Sequence, residues 1–125
     1  MATVMVLDDN RLIGKMFTDM LEPYGYEVLA IERPSEALEL LRNLTPAVII
    51  VDYVLPEMDG IEFVKKVRSL RRKEVAEIPI VGLSGADHID DIKKRFAEAG
   101  ISLFLYKPVK PEALLNAVDF FCVAP

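Results

Sequence analysis

Five short apolar runs, separated by longer stretches of mixed character, set the pattern of this chain. The runs span residues 4–7, 27–31, 47–51, 78–83 and 103–105. They are too short for helices and contain many β-branched side chains, which is typical of strands buried on both faces of a parallel sheet. The second run begins with Glu27, and a charge in a strand favours a place at the edge of the sheet.

Between these runs, apolar residues recur at the three- and four-residue spacing of amphipathic helices. The inward-facing positions of the five predicted helices are Ile13, Met16, Phe17, Met20 and Leu21; Leu38, Leu41 and Leu44; Phe63, Val64, Val67 and Leu70; Ile89, Ile92, Phe96 and Ala99; and Leu114, Val118, Phe121 and Cys122. We expect Asn10, Ser35 and Asp59 to begin helices, because their side chains can accept hydrogen bonds from free backbone N–H groups. Gly100 suits the end of the fourth helix, and Pro111 suits the first turn of the last one.

The regular alternation of strand and helix predicts the architecture. Strand–helix units repeated along a chain form a parallel sheet with right-handed crossovers and helices on both faces. With 125 residues and neither a linker nor an internal repeat, the chain has the length of one domain. We therefore predict a single α/β domain, built on a five-stranded parallel sheet, over residues 1–125.

Composition narrows the classes of protein that fit this fold. Hydrophobic residues make up 52% of the chain and charged residues 28%, which favours a globular protein over a disordered one. A net charge of -5 gives no basic surplus for direct binding to nucleic acid, and the Arg-Arg-Lys run at residues 71–73 is more typical of a solvated face. No apolar run approaches the roughly 20 residues that span a bilayer. The single cysteine, Cys122, cannot form an internal disulfide, so we expect a cytoplasmic protein without a membrane role.

Polar residues follow four of the predicted strands at the point where each strand ends. Asp8 and Asp9 follow the first strand, Asp52 the third and Ser84 the fourth, while Lys107 lies just beyond the fifth. The carboxyl ends of parallel strands meet at one edge, where open α/β sheets bind their ligands. Three carboxylates gathered there repel one another, and a hard divalent cation such as Mg²⁺ relieves the repulsion. The lysine and the hydroxyl supply donors for a phosphoryl group, towards which an aspartate could act as a nucleophile.

These residues lie in sequence pieces that resemble the receiver domain of two-component response regulators, the CheY-like family. The pieces are the Asp8-Asp9 pair, VDYVLPEMDG at residues 51–60, LSG at residues 83–85 and YKP at residues 106–108. Each piece alone is weak evidence for the family. Together they occur in order and at suitable spacing over essentially the whole chain, which makes the resemblance highly specific. The resemblance implies a doubly wound, flavodoxin-like (βα)5 sheet with the strand order 2-1-3-4-5.

The resemblance also implies a role for each matching residue. Asp52 matches the phosphoacceptor, Asp9 a direct Mg²⁺ ligand, and Asp8 an acid that holds the metal through water. Val54 would offer its backbone carbonyl to the metal. Its side chain is apolar where many relatives carry a polar residue near the attacking water, which changes the expected lifetime of the phosphoryl group. Lys107 matches the lysine that pairs with the phosphoryl group.

Two further residues match positions whose side chains change conformation in this family when the domain is phosphorylated. Ser84 matches a hydroxyl that moves towards the phosphoryl group, and Phe104 matches an aromatic residue that turns inward when this happens. The peptide bond between Lys107 and Pro108 would be cis, as is usual in the family.

The function implied is that of a phosphoacceptor rather than an enzyme, one that assists its own phosphorylation and dephosphorylation. Its partners would be a histidine kinase or a histidine phosphotransfer protein on one side, and a downstream protein target or an output domain on the other. Phosphorylation would change the contacts made by the fourth helix, the fifth strand and the fifth helix. Relatives often dimerise through their last helices, which leaves a homodimer open.

Three alternatives remain open from the sequence. The first is a receiver-like binding module that works without phosphorylation, although such modules often lose an acid or the lysine and this chain keeps them. A metal-dependent phosphohydrolase usually has a second acid two residues after its nucleophile, where this chain has Val54. A flavin carrier needs a phosphate-binding loop after the first strand, where Asp8, Asp9 and Asn10 would repel a phosphate.

Overall fold

Five parallel strands form the centre of the molecule. The structure, a computed structural model, describes residues 2–85 and 88–123 of the chain. The strands are β1 (Thr3–Leu7), β2 (Glu27–Ile31), β3 (Val48–Asp52), β4 (Ile80–Ser84) and β5 (Leu103–Tyr106). They form one sheet in the order β2-β1-β3-β4-β5, in which each neighbouring pair is parallel. The predicted fold class and strand order are therefore confirmed.

Longer helices cover both faces of this sheet. They are α1 (Arg11–Leu21), α2 (Pro34–Leu40), α3 (Gly60–Arg68), α4 (Ile89–Ala99) and α5 (Pro111–Val123). A 3₁₀ turn at Glu22–Tyr24 and a four-residue helix at Lys73–Ala76 lie in the connections. Within the ranges that the structure describes, no helix is both long enough and apolar enough to cross a membrane.

The two faces of β1 belong to two different hydrophobic clusters. Met5 and Leu7 pack in the cluster that includes side chains of α3 and α4, whereas Val4 and Val6 pack in the cluster that includes side chains of α1 and α5. All four of these side chains are at most 1% exposed. A strand buried on both faces has no need for polar residues, which explains why the runs in the sequence are continuous rather than alternating.

Side-chain caps fix where α1 and α3 begin. Asn10 accepts a hydrogen bond from the backbone N–H of Leu12 at 3.0 Å. Asp59 accepts one from the N–H of Glu62 at 2.8 Å, and the carboxylate of Glu62 accepts one from the N–H of Asp59 at 3.2 Å, which forms a capping box. Asn10 and Asp59 are therefore confirmed as caps, and each caps a helix that follows shortly after an acid-bearing strand end.

The predicted bounds of α2 were wrong. The helix begins at Pro34, whose fixed φ angle suits a first turn, instead of beginning at Ser35. Ser35 donates its backbone N–H and its hydroxyl to the carboxylate of Glu57, each at 2.8 Å. The helix also ends before Leu44, which packs against the core from the turn that follows.

Arg72 is a structural residue, which corrects its interpretation as part of a solvated face. Its guanidinium donates to the backbone carbonyl of Leu41 and to the hydroxyl of Thr45, each at 2.6 Å. The last carbonyls of a helix have no partner within the helix. A cation from a distant part of the chain therefore stabilises the end of α2.

Arg68, the last residue of α3, joins three segments of the chain. Its Nε donates to the carbonyl of Gly100 at 2.9 Å, and its Nη1 donates to the carbonyls of Ala76 at 2.8 Å and Ile78 at 2.7 Å. Burial lowers the pKa of this guanidinium, and the three carbonyls replace the water that it loses. The side chain thus stabilises the packing of α3 against the connections on either side of β4.

The substitution Arg68→Met removes these hydrogen bonds and keeps an apolar stem. We expect the free energy of unfolding to fall by about 2–3 kcal/mol, because a buried carbonyl left without a donor costs about 1–3 kcal/mol. Urea unfolding measures the change. Lys65→Met, at an exposed position of the same helix, is the matched control and should change stability by less than about 0.5 kcal/mol. Equal effects of the two substitutions would contradict the role given to Arg68.

Candidate functional site

A cleft of about 540 Å³ opens at the carboxyl edge of the sheet. Its lining includes the polar residues predicted to meet there, which are Asp8, Asp9, Asp52, Ser84 and Lys107. They meet because β1, β3, β4 and β5 are parallel neighbours, so that their carboxyl ends reach the same edge. The structure therefore brings the whole predicted set together.

Three carboxylates converge in this cleft. Asp8, Asp9 and Asp52 each offer one oxygen, and these atoms lie within 4.8 Å of one another. Asp8 and Asp52 are 3% and 6% exposed, whereas Asp9 is exposed. The backbone N–H of Asn10 donates to Oδ1 of Asp8 at 2.9 Å, which fixes that carboxylate. Oxygen ligands grouped in this way can hold a hard divalent cation.

Lys107 lies between the two buried carboxylates. Its Nζ is 2.9 Å from Oδ2 of Asp52 and 3.1 Å from Oδ2 of Asp8. Burial by itself lowers the pKa of this ammonium group, but the hydrogen bonds and charges of Asp52 and Asp8 together raise it above its ordinary value. The peptide bond between Lys107 and Pro108 is cis, which confirms the prediction.

The carboxyl group of Asp52 has a raised pKa. Burial is the largest cause and the charge of Asp8 adds to it, while the hydrogen bond and charge of Lys107 and the backbone N–H of Tyr53 oppose it. Counted by charge, the one ammonium group of Lys107 also leaves the two carboxylates that it contacts with a net negative charge. A bound cation would supply the positive charge that the cleft lacks.

The segment after β3 folds back tightly against the strand. The N–H of Tyr53 donates to the carbonyl of Leu83 at 2.9 Å, and the N–H of Gly60 donates to the carbonyl of Tyr53 at 2.8 Å. A Cβ atom on Gly60 would lie 2.3 Å from the carbonyl oxygen of Asp52, so a larger residue would require the backbone to move. The resulting turn leaves Val54, which is 57% exposed, on the lining of the cleft.

Backbone contacts hold Ser84 beside Lys107. The N–H of Lys107 donates to the carbonyl of Ser84 at 3.0 Å, and Ser84 itself is buried. A Cβ atom on Gly85 would lie 2.7 Å from Cβ of Lys107. The absence of a side chain at Gly85 therefore allows the strand ends of β4 and β5 to approach each other at the cleft.

Phe104 lies apart from the polar group. It is half-buried on β5 and is not one of the described residues that line the cleft. Its ring centroid is 6.0 Å from that of Phe96 and 5.2 Å from that of Tyr106. The switching role implied by the resemblance stays a prediction.

Part of the lining differs from the sequence prediction. Met16 was predicted to face the core, but it is 46% exposed and lines the cleft together with Ile13 and Phe17. Helical spacing identifies an apolar face without showing which of its members lies at an opening. Asn10, predicted only as a cap, also lines the cleft, and its position directly after Asp9 was the available signal.

Comparison with protein families decides the class of the chain. The sequence model of the response regulator receiver domain matches residues 4–119. The chain belongs to this family. As a receiver domain of two-component systems, it is a signalling module rather than a conventional enzyme.

Two relatives resemble this receiver domain over nearly its full length. The polar-differentiation response regulator DivK of Brucella ovis is 29% identical over 119 residues, which cover 95% of this chain and 94% of DivK. The structure of the chemotaxis response regulator CheY4 of Vibrio cholerae has 33% sequence identity and a TM-score of 0.86, and the match covers 97% of this chain and 98% of that one.

A more distant structure shares the fold of this receiver domain. The receiver domain of the sensor histidine kinase PA1611 of Pseudomonas aeruginosa has a TM-score of 0.86 at 21% identity, over 98% of each chain. That structure has a magnesium ion coordinated in its active-site cleft. At this level of identity the likeness concerns the fold alone.

In a metal-free buffer, the free energy of unfolding of Asp52→Asn should rise relative to that of the wild type as pH rises. Between the ordinary pKa of Asp52 and its raised value, the folded chain holds a proton that the unfolded chain has lost. The free energy of unfolding of the wild type therefore falls as pH rises through this window, and the variant lacks that fall. Urea unfolding in EDTA at several pH values measures the difference between the two proteins.

The control for this pH series is Asp19→Asn, which removes an exposed carboxylate of α1 and changes the net charge equally. A difference between Asp52→Asn and the wild type that stays constant with pH would show that burial does not control the charge of Asp52.

Proposed function

We propose that this receiver domain accepts a phosphoryl group on Asp52 in a Mg²⁺-dependent reaction. The observation that most supports this proposal is the position of Lys107, whose ammonium group contacts both Asp52 and Asp8 in an open acidic cleft. An ammonium group in that position can bind the oxygens of a phosphoryl group beside the carboxylate that receives it. The carboxylate of Asp52 would therefore be the nucleophile, and the neighbouring ammonium group of Lys107 would stabilise the charge of the phosphoryl group.

The chemistry of the cleft fits a Mg²⁺ ion. Asp9, which is exposed, would bind the ion directly, and Asp8 would hold it through water. The carboxylate of Asp52 and the backbone carbonyl of Val54 would complete the protein ligands, with water in the remaining positions. When bound, the ion would offset negative charge on the acids and on the phosphoryl oxygens.

In the proposed transfer, Asp52, Lys107 and Ser84 each act on the phosphoryl group. A carboxylate oxygen of Asp52 forms a bond to phosphorus as the bond between phosphorus and a histidine nitrogen of the donor breaks, and the freed imidazole takes up a proton from water. The product on Asp52 is an acyl phosphate. Lys107 donates to a phosphoryl oxygen, and the hydroxyl of Ser84, which lines the same cleft, donates to another.

The signal would arise from these new hydrogen bonds. Moving an equilibrium from about 1:99 to 99:1 takes about 5.5 kcal/mol. Hydrogen bonds to charged groups contribute about 1.5–3 kcal/mol each, so a few bonds from Ser84 and Lys107 have the necessary size. Phe104 would turn inward as Ser84 moves, and the surface of α4, β5 and α5 would change its contacts with a partner.

Two classes of partner follow from this proposal. The phosphoryl donor would be a histidine kinase or a histidine phosphotransfer protein, and the phosphorylated surface would act on a downstream protein or an output domain. The same residues would assist phosphorylation and dephosphorylation of Asp52. We propose that residues 1–125 act as one such unit, of which residues 4–119 match the family.

Incubation with acetyl phosphate and MgCl₂ should add the mass of one phosphoryl group to the intact chain. The adduct should be absent without Mg²⁺ and absent in Asp52→Asn, because an amide is a poor nucleophile. Intact-mass spectrometry over a time course measures the adduct. Asp91→Asn is the matched control, since Asp91 is an exposed acid on α4, and it should be modified like the wild type.

Two results of that experiment would contradict the proposal. An adduct that persists in Asp52→Asn would mean that another residue is the acceptor. No adduct at any time, together with no binding of Mg²⁺, would favour a receiver-like binding module that works without phosphorylation.

MgCl₂ should raise the melting temperature of the domain more than NaCl at equal ionic strength. An ion that binds only the folded chain stabilises it by about 2.7 kcal/mol at 100 times its Kd. Asp9→Asn should lose most of this gain, whereas Asp91→Asn should keep it. Scanning calorimetry measures both, and an undiminished gain in Asp9→Asn would show that Asp9 is not a ligand.

A further inference from the structure

A row of aromatic rings leads from the residue after Asp52 to the surface beside β5. The ring centroids of Tyr53 and Phe96 are 6.1 Å apart, those of Phe96 and Phe104 are 6.0 Å apart, and those of Phe104 and Tyr106 are 5.2 Å apart. All three separations lie in the range in which aromatic pairs attract each other. We refer to these four residues as the ring row.

Phe96 is the buried centre of the ring row. It is 0% exposed, and its ring occupies space that two glycines leave open. A Cβ atom on Gly60 would lie 3.0 Å from Cζ of Phe96, and a Cβ atom on Gly82 would lie 3.3 Å from both Cδ atoms. Gly60 also binds the carbonyl of Tyr53 through its N–H. The ring of Phe96 is therefore packed between the turn that follows Asp52 and the middle of β4.

The outer end of the ring row is held by Lys93, which lies one turn before Phe96 on α4. Its Nζ is 3.2 Å from the hydroxyl of Tyr106 and 6.0 Å from the ring centroid of Phe104. Tyr106 is 51% exposed, so the hydrogen bond and the cation–π contact lie at the surface. One helix thus carries both the residue at the centre of the ring row and the residue that holds its outer end.

We propose that Phe96 is a positioning residue that transmits a rearrangement at Asp52 to Tyr106 at the surface. The inference deepens the proposed function and rests on it. It assigns the coupling to a side chain that is not among the described residues lining the cleft.

The physical reason is the packing around Phe96. A close-packed interior does not deform continuously, so a ring that moves displaces its neighbours. When Phe104 changes position, Phe96 must follow or lose its contact, and Phe96 is attached to α4. A shift of α4 then moves Lys93 relative to Tyr106, which changes the exposed surface. If the ring row served stability alone, shortening Phe96 would weaken the fold, but Tyr106 would still respond whenever Tyr53 does.

The tyrosines at the two ends of the ring row provide the test. Tyr53 and Tyr106 are two of four tyrosines in the chain, so their ring signals can be followed by NMR after labelling tyrosine with ¹³C. The probe is MgCl₂ with the beryllium trifluoride anion, a stable mimic of a phosphoryl group on aspartate. In the wild type, we expect the signals of Tyr53 and Tyr106 both to shift.

In Phe96→Leu, the shift of Tyr53 should remain while the shift of Tyr106 falls to less than half of its wild-type size. The matched control is Phe63→Leu, which removes the same atoms from a fully buried position of the same hydrophobic cluster, outside the ring row. Both shifts should remain in Phe63→Leu. Phe96→Met, whose side chain is close to leucine in volume but more flexible, should resemble Phe96→Leu and replaces it if that variant does not fold.

A Tyr106 shift of wild-type size in the Phe96 variants, or an equal loss in Phe63→Leu, would overturn the inference. A different result identifies failure of the proposed function itself. If the wild type shows neither a shift of Tyr53 nor a phosphoryl adduct by mass, the receiver chemistry is refuted and the inference falls with it.

Discussion

One ammonium group shared by two buried carboxylates is the interaction on which the functional end of the molecule depends. Nζ of Lys107 lies 2.9 Å from Asp52 and 3.1 Å from Asp8. Burial of an ion costs several kcal/mol unless an opposite charge and hydrogen bonds compensate it. The two acids could not be buried together without the lysine, and even with it the cleft keeps a net negative charge, to which Asp9 adds. The cleft is thus suited to a further cation.

Two glycines allow the backbone to hold these charged groups close together. Gly60 allows the turn after β3 to return against the carbonyl of Asp52, and Gly85 allows the end of β4 to approach Lys107. A side chain at either position would collide with the residue that carries a charge. The electrostatics of the cleft therefore depend on close backbone packing at the sheet edge, and the parallel strands supply the rigid frame for that packing.

Local patterns made the sheet and the polar group of the cleft predictable, whereas long-range contacts could not be predicted. Continuous apolar runs that end in Asp8 and Asp52 indicate buried parallel strands with acids at one edge, and the structure confirms both features. Arg72 was misinterpreted because its partner Leu41 lies far away in the chain, where spacing carries no information. Met16 was misplaced because the apolar face of α1 extends from the core into the cleft.

Two consecutive residues at the end of β3 join the cleft to the hydrophobic cluster that includes side chains of α3 and α4. Asp52 lines the cleft, whereas the next residue, Tyr53, packs against Phe96 in the cluster beneath α4. A backbone adjustment that moves the carboxylate also moves Tyr53, and close-packed neighbours cannot absorb that movement locally. Under the proposed function and the role inferred for Phe96, the free energy gained by binding a phosphoryl group must therefore exceed the cost of displacing Phe96. This requirement links the charge of the cleft to the position of α4.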